Sequence, residues 1–122
     1  MQVTRVSAGY YQKSFGAKLS KRVEESIQIG QERYKEDPVA LEYYNKRVDE
    51  AKTIRPEIDV IVRNEPGGLF NFAGDDLVFL QKGTRLLCKP QLDLPLFSSD
   101  LNVADIACLD GITALCECLK NS

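Results

Sequence analysis

Histidine and tryptophan are both absent from the chain, and methionine occurs once, at Met1. Without histidine the commonest general base and the commonest zinc ligand are missing, which excludes any Ser-His-Asp or Cys-His catalytic arrangement. No apolar run approaches the roughly 18 residues that a membrane span needs, and residues 1–20 lack the continuous apolar core of a signal peptide. The chain therefore reads as cytoplasmic, with no membrane partner. Also missing are the glycine patterns GxxxxGK[ST] and GxGxxG of phosphate-binding loops, and any Cys-x-x-Cys pair.

The four cysteines, Cys88, Cys108, Cys116 and Cys118, are expected to be reduced in that compartment, as small apolar side chains, and no disulfide is expected. Cys116 and Cys118, two apart on a helix, project toward nearly opposite sides, and Cys108 joins neither face. A cysteine zinc site is not expected on that spacing, nor is any other metal or cofactor.

What is present is ordinary globular composition, 43% hydrophobic and 28% charged over 122 residues, enough to bury a core in one domain spanning 1–122. Net charge is only -2, but residues 1–55 carry eleven Lys/Arg against eight Asp/Glu, while residues 56–122 carry five against ten. A split of that kind orients a partner or pairs two copies of the chain, or is simply scattered over solvated surface.

Leu19, Val23, Ile27, Gly30 and Tyr34 recur at helical spacing, with Ser14 as N-cap and an end near Glu36, because Pro38 disfavours helical geometry in the residue before it. A second helix then starts, with Asp37 as cap, Pro38 in the first position and Leu41, Tyr44, Val48 and Ala51 as its apolar stripe. After Pro56 the period becomes two: Ile58, Val60 and Val62 face one way and Glu57, Asp59 and Arg63 the other, as in a half-buried strand.

The stretch RNEPGGLFNFAGDD, residues 63–76, then holds a type II turn at Pro66-Gly67, a short strand at Leu69–Phe72 and a turn at Gly74-Asp75. Leu77–Gln81 follows as a buried strand, and Lys82-Gly83 reverses the chain into Thr84–Lys89. Residues Pro90–Phe97 contain two prolines and read as an extended connector that packs Leu92, Leu94, Leu96 and Phe97 onto the body. From Ser99 or Asp100 to Lys120 the sequence predicts a third helix, apolar around most of its circumference. The whole is an α+β domain: two N-terminal amphipathic helices, a small antiparallel sheet of three to four strands, and an apolar C-terminal helix.

PEIDVIV at 56–62 followed by LVFLQKG at 77–83 resembles the catalytic hairpin of PD-(D/E)XK nucleases. That resemblance implies Mg²⁺-dependent phosphodiester hydrolysis, with Asp59 as the first metal ligand and Gln81 in the place of the second. It departs at the third element, where Gly83 stands in the lysine position and the neighbouring Lys82 points to the other face of a strand.

All five tyrosines, Tyr10, Tyr11, Tyr34, Tyr43 and Tyr44, lie in the first 44 residues. Beside Lys13, Lys18, Lys21 and Arg22 they could stack nucleic-acid bases and contact phosphates, but tyrosine equally suits helix packing and subunit interfaces. On balance the sequence predicts a non-catalytic protein that self-associates, dimer favoured, with Tyr10, Tyr11, Tyr43 and Tyr44 as partner-binding residues. Its alternatives are a divergent nuclease using Asp59, Gln81 and Lys82, or a nucleic-acid-binding module without catalysis.

Overall fold

In the computed structural model, which describes residues 18–66 and 74–122, a two-residue strand, β1 (Lys18–Leu19), leads into α1 (Lys21–Arg33). Ser20 caps this helix: its hydroxyl accepts the Val23 N–H at 3.3 Å. Ser14, the expected cap, lies outside the described residues. Residues 18 and 19 pair in parallel with Asp59 and Val60, and the Ser20 N–H donates to the Val60 carbonyl at 2.9 Å. This pairing with the sheet holds the chain extended up to Ser20, so the helix starts later than its periodicity implies.

α2 (Pro38–Thr53) begins where the sequence places it. Pro38 fills the first turn, and Asp37 Oδ1 accepts the Ala40 N–H at 3.2 Å, satisfying one of the backbone donors left free there. Tyr44, Val48 and Ala51 are buried along one face.

β2 (Asp59–Glu65) and β3 (Asp75–Lys82) form an antiparallel pair in continuous register from Asp59 opposite Gln81 to Glu65 opposite Asp75. A turn at Gly83-Thr84 brings back β4 (Arg85–Cys88), giving the sheet order β1-β2-β3-β4. The sheet is mixed, since β1 is parallel and the other pairs are antiparallel. The expected turn at Pro66-Gly67 and strand at Leu69–Phe72 fall wholly or partly in residues 67–73, outside the described residues.

Residues 90–97 are not a connector. Gln91–Leu94 (β5) and Phe97–Asp100 (β6) pair as a two-residue-turn hairpin, a second small sheet. Both prolines are compatible with it: buried Pro90 precedes the first strand and Pro95 occupies the turn, so neither removes a ladder donor.

The expected third helix is also divided. A 3₁₀ turn, Val103–Ala107, precedes α3 (Leu109–Lys120), and Cys108 between them is extended, with φ -118° and ψ 154°. The Asp105 carboxylate accepts the Asn102 N–H at 3.0 Å, which starts the tight turn. α3 then approaches so closely that a Cβ on Gly111 would stand 1.8 Å from the Asp105 carbonyl oxygen.

One core joins these pieces: Val23 and Ile27 of α1, Tyr44 and Val48 of α2, Val60, Val78 and Leu80 of the sheet, Leu101, Ile106, and Ile112, Leu115 and Leu119 of α3. Each large aliphatic side chain fully withdrawn from water contributes about 1.5–3 kcal/mol. α2 packs on α3 and α1 on the 3₁₀ turn. No described helix is long and apolar enough to cross a membrane.

Candidate functional site

Asp59 and Gln81 do stand together, directly opposite one another on β2 and β3 and so on one face of the sheet. The Gln81 amide is turned to the following loop, donating to the Gly83 carbonyl at 2.6 Å. Lys82 is exposed and pairs across the strands with Arg85, on the opposite face from Gln81. Among the described residues, no three Asp, Glu, Cys or His side chains converge as a metal-ligand group.

The acidic end of the 63–76 stretch ties elements together. Asp76 on β3 accepts Arg22 of α1 at 2.7 Å and the Asn64 amide of β2 at 2.9 Å. Those two donors hold its carboxyl below the usual carboxylate range.

The tyrosines separate into different roles. Tyr10 and Tyr11 lie outside the described residues. Tyr43 is 42% exposed on α2 and is held by Arg47, whose guanidinium donates to its hydroxyl at 3.1 Å and lies 4.8 Å from its ring centre. The same guanidinium donates to Glu50 at 2.5 Å. The Arg47 hydrogen bond also lowers the Tyr43 hydroxyl from its ordinary pKa.

Tyr44 is a core residue, which corrects its assignment as a contact: it is 0% exposed, and its hydroxyl donates to the Ile106 carbonyl. Its ring stands 5.5 Å from that of Tyr34, whose hydroxyl accepts the Leu109 N–H at 3.1 Å. Two adjacent tyrosines, about 100° apart on one helix, therefore differ: Tyr44 enters the core, while Tyr43 lies at the surface against Arg47 and Thr113 of α3.

The end of hairpin β5–β6 corrects the expectation that Leu94, Leu96 and Phe97 pack onto the body: of the four residues only Leu92 does so. Leu94 is opposite Phe97 in register, and Leu96 lies in the turn between them. Leu96 is 94% exposed and Phe97 61%. Leu92, two residues before Leu94 and so on the same face, packs against the core. The hairpin thus seats its root on the body and carries the same apolar face outward beyond it. Its other face is polar: Ser98 donates to Asp93 at 3.0 Å across the strands. The signal was present as the alternation in LDLPLF, which two prolines masked.

A groove of about 350 Å³ lies between α1 and the 3₁₀ turn, lined by Arg22, Ser26, Ile29, Arg33, Val103 and Ala107 among others. Ile29 on its rim is 57% exposed. Compared with protein-family models, with curated proteins and with solved structures, the chain gives no match.

Proposed function

We propose that this chain is a non-catalytic interaction protein that self-associates, each copy offering the apolar end of hairpin β5–β6 to the helical half of the other. The observation that carries the reading is the exposed Leu94, Leu96 and Phe97 cluster. Hairpin turns ordinarily use Gly, Asn or Asp, and a turn built from Pro95 and Leu96 places a large apolar side chain where water would surround it. Covering such a cluster is favourable by roughly 25 cal/mol for each Å² of apolar surface removed from water.

A second copy suits it for two reasons. A two-fold contact is reciprocal, so both exposed hairpin ends are covered at once by the same surface of the other copy. The α1 groove also offers exposed Ile29 as apolar surface, with Arg22, Glu25 and Arg33 beside it.

Light scattering at micromolar concentration is expected to give about twice the 13.7 kDa chain mass. Leu96→Asp, Phe97→Asp and Ile29→Glu should each return it to one chain that still unfolds cooperatively, with a melting temperature that no longer rises with protein concentration. Tyr43→Asp tests the neighbouring helical face: dissociation by Tyr43→Asp alone would move the contact to α2. A mass of one chain across the whole range would refute self-association.

A further inference from the structure

Cys88 ends β4 and Cys118 lies in the last turn of α3, yet their sulfur atoms are 3.0 Å apart. A disulfide bond is about 2.05 Å long, so closing it requires a sulfur displacement of about one ångström, within the reach of small χ1 adjustments. The opposite projection of Cys116 and Cys118 creates the pairing. Cys116 turns to α2, where its thiol donates to the Arg47 carbonyl at 3.1 Å, while Cys118 turns to the end of β4. Cys108 is at the other end of α3. All four cysteines are free thiols.

We propose that Cys88 and Cys118 form a redox-responsive dithiol that closes to an intramolecular disulfide on exchange with a small disulfide such as oxidised glutathione, fastening the last turn of α3 to the edge of the sheet. One thiolate of the pair attacks a glutathione sulfur, breaking that S–S bond and releasing a glutathione thiolate. The second thiolate attacks the protein sulfur of the mixed disulfide and expels the other glutathione thiolate. Two protein thiols are oxidised, one glutathione disulfide is reduced to two thiols, and the two protons pass to them.

The surroundings allow this exchange. Cys88 and Cys118 are half-buried and line a groove of about 470 Å³ between β5 and α3, shared with Leu92, Asp110, Ala114 and Glu117. The groove gives a tripeptide disulfide access to the sulfurs. Burial, and then the hydrogen bond to Cys88, hold the Cys118 thiol well above its ordinary range, so attack through its thiolate is slow at neutral pH. The pair is thus a slow clamp set by the surrounding thiol-disulfide ratio.

The test incubates the reduced full-length chain with oxidised glutathione and reads its intact mass, which should fall by about 2 Da, the two hydrogens lost on forming one disulfide. Trypsin is unsuitable for mapping, because Lys89 precedes Pro90 and residues 86–120 remain one peptide with every cysteine in it. Cleavage at Asp and Glu separates all four, and should show Cys88 joined to Cys118 with Cys108 and Cys116 open to alkylation. Cys88→Ser and Cys118→Ser should each abolish the mass loss, and Cys108→Ser should not.

The oxidised form should melt at least about 5 °C above the reduced form, since the bond closes a long loop in the unfolded chain. A link through Cys108 or Cys116, a persistent glutathione adduct without closure, cross-linked dimers, or an oxidised form that melts no higher would overturn the proposal.

Discussion

Tyr44 occupies space that Gly30 leaves open: a Cβ on Gly30 would lie 2.3 Å from the Tyr44 ring and hydroxyl. Replacing a helical glycine by alanine ordinarily stabilises by about 1 kcal/mol, but here the ring has no room to retreat, being fully buried and hydrogen-bonded to Ile106. Gly30→Ala is therefore expected to destabilise by about 2 kcal/mol or more in denaturant titration. Tyr44→Phe leaves the Ile106 carbonyl without its donor and should cost about 1–2 kcal/mol. The same residue shapes the alkaline limit. Burial raises the Tyr44 phenol far above its ordinary 10.0 and pushes the Cys116 thiol from 9.0 up to about 11. Above pH 9, and more above pH 10, the unfolded chain gives up protons that the folded chain retains. Stability is thus full below about pH 9 and falls as pH rises beyond it. Urea midpoints at pH 7, 9 and 10.5 should show this decline, and Tyr44→Phe, although less stable at pH 7, should show a shallower one.

At the scale of the element, α2 and α3 illustrate which boundaries a sequence encodes. Asp37→Ala should lower stability by about 1 kcal/mol through the lost contact to the Ala40 N–H, measurable by thermal or chemical unfolding. That cap was legible because Asp37-Pro38 encodes a helix start locally, and the β2–β3 pair was legible because alternation needs only near neighbours. The division between the 3₁₀ turn and α3 was not, since Val103, Ile106, Ile112 and Leu115 are all buried and continue one apolar pattern through it. The break is at extended Cys108, where the chain turns so that Gly111 lies against the Asp105 carbonyl, a geometry that the apolar pattern does not report. Gly111→Ala should cost more than Gly30→Ala, because a carbonyl in a tight turn yields less than a side chain, and the two unfolding midpoints compared directly will show it. Of the candidate site, the Asp59 and Gln81 juxtaposition followed from counting along two strands. The different fates of Tyr43 and Tyr44 depended on which face of α2 meets α3, and the exposed hairpin end on where the body stops.

For the molecule as a whole, the hairpin is an excursion from a single sheet edge. Along one side of β3, residues 80–82 pair with β4, while the Val78 N–H donates to the Leu101 carbonyl at 2.9 Å. The chain leaves that edge at Pro90 and rejoins it at Leu101, whose N–H donates to the Pro90 carbonyl at 3.0 Å. Replacing residues 91–100 by a short glycine linker should therefore leave a body that still unfolds cooperatively, at a lower midpoint for want of Leu92. On the dimer reading above, its scattering mass should be that of one chain.

The join at Pro90 and Leu101 also divides the molecule in time. Leu101 is fully buried with both its amide and its carbonyl bonded inside the structure, so its proton should exchange with solvent only when the whole core opens. A few residues earlier, at Phe97 and Ser98, the ladder is exposed and can open by itself. Amide exchange rates should consequently change by orders of magnitude within four residues, placing a steep kinetic boundary where the chain has no break in sequence.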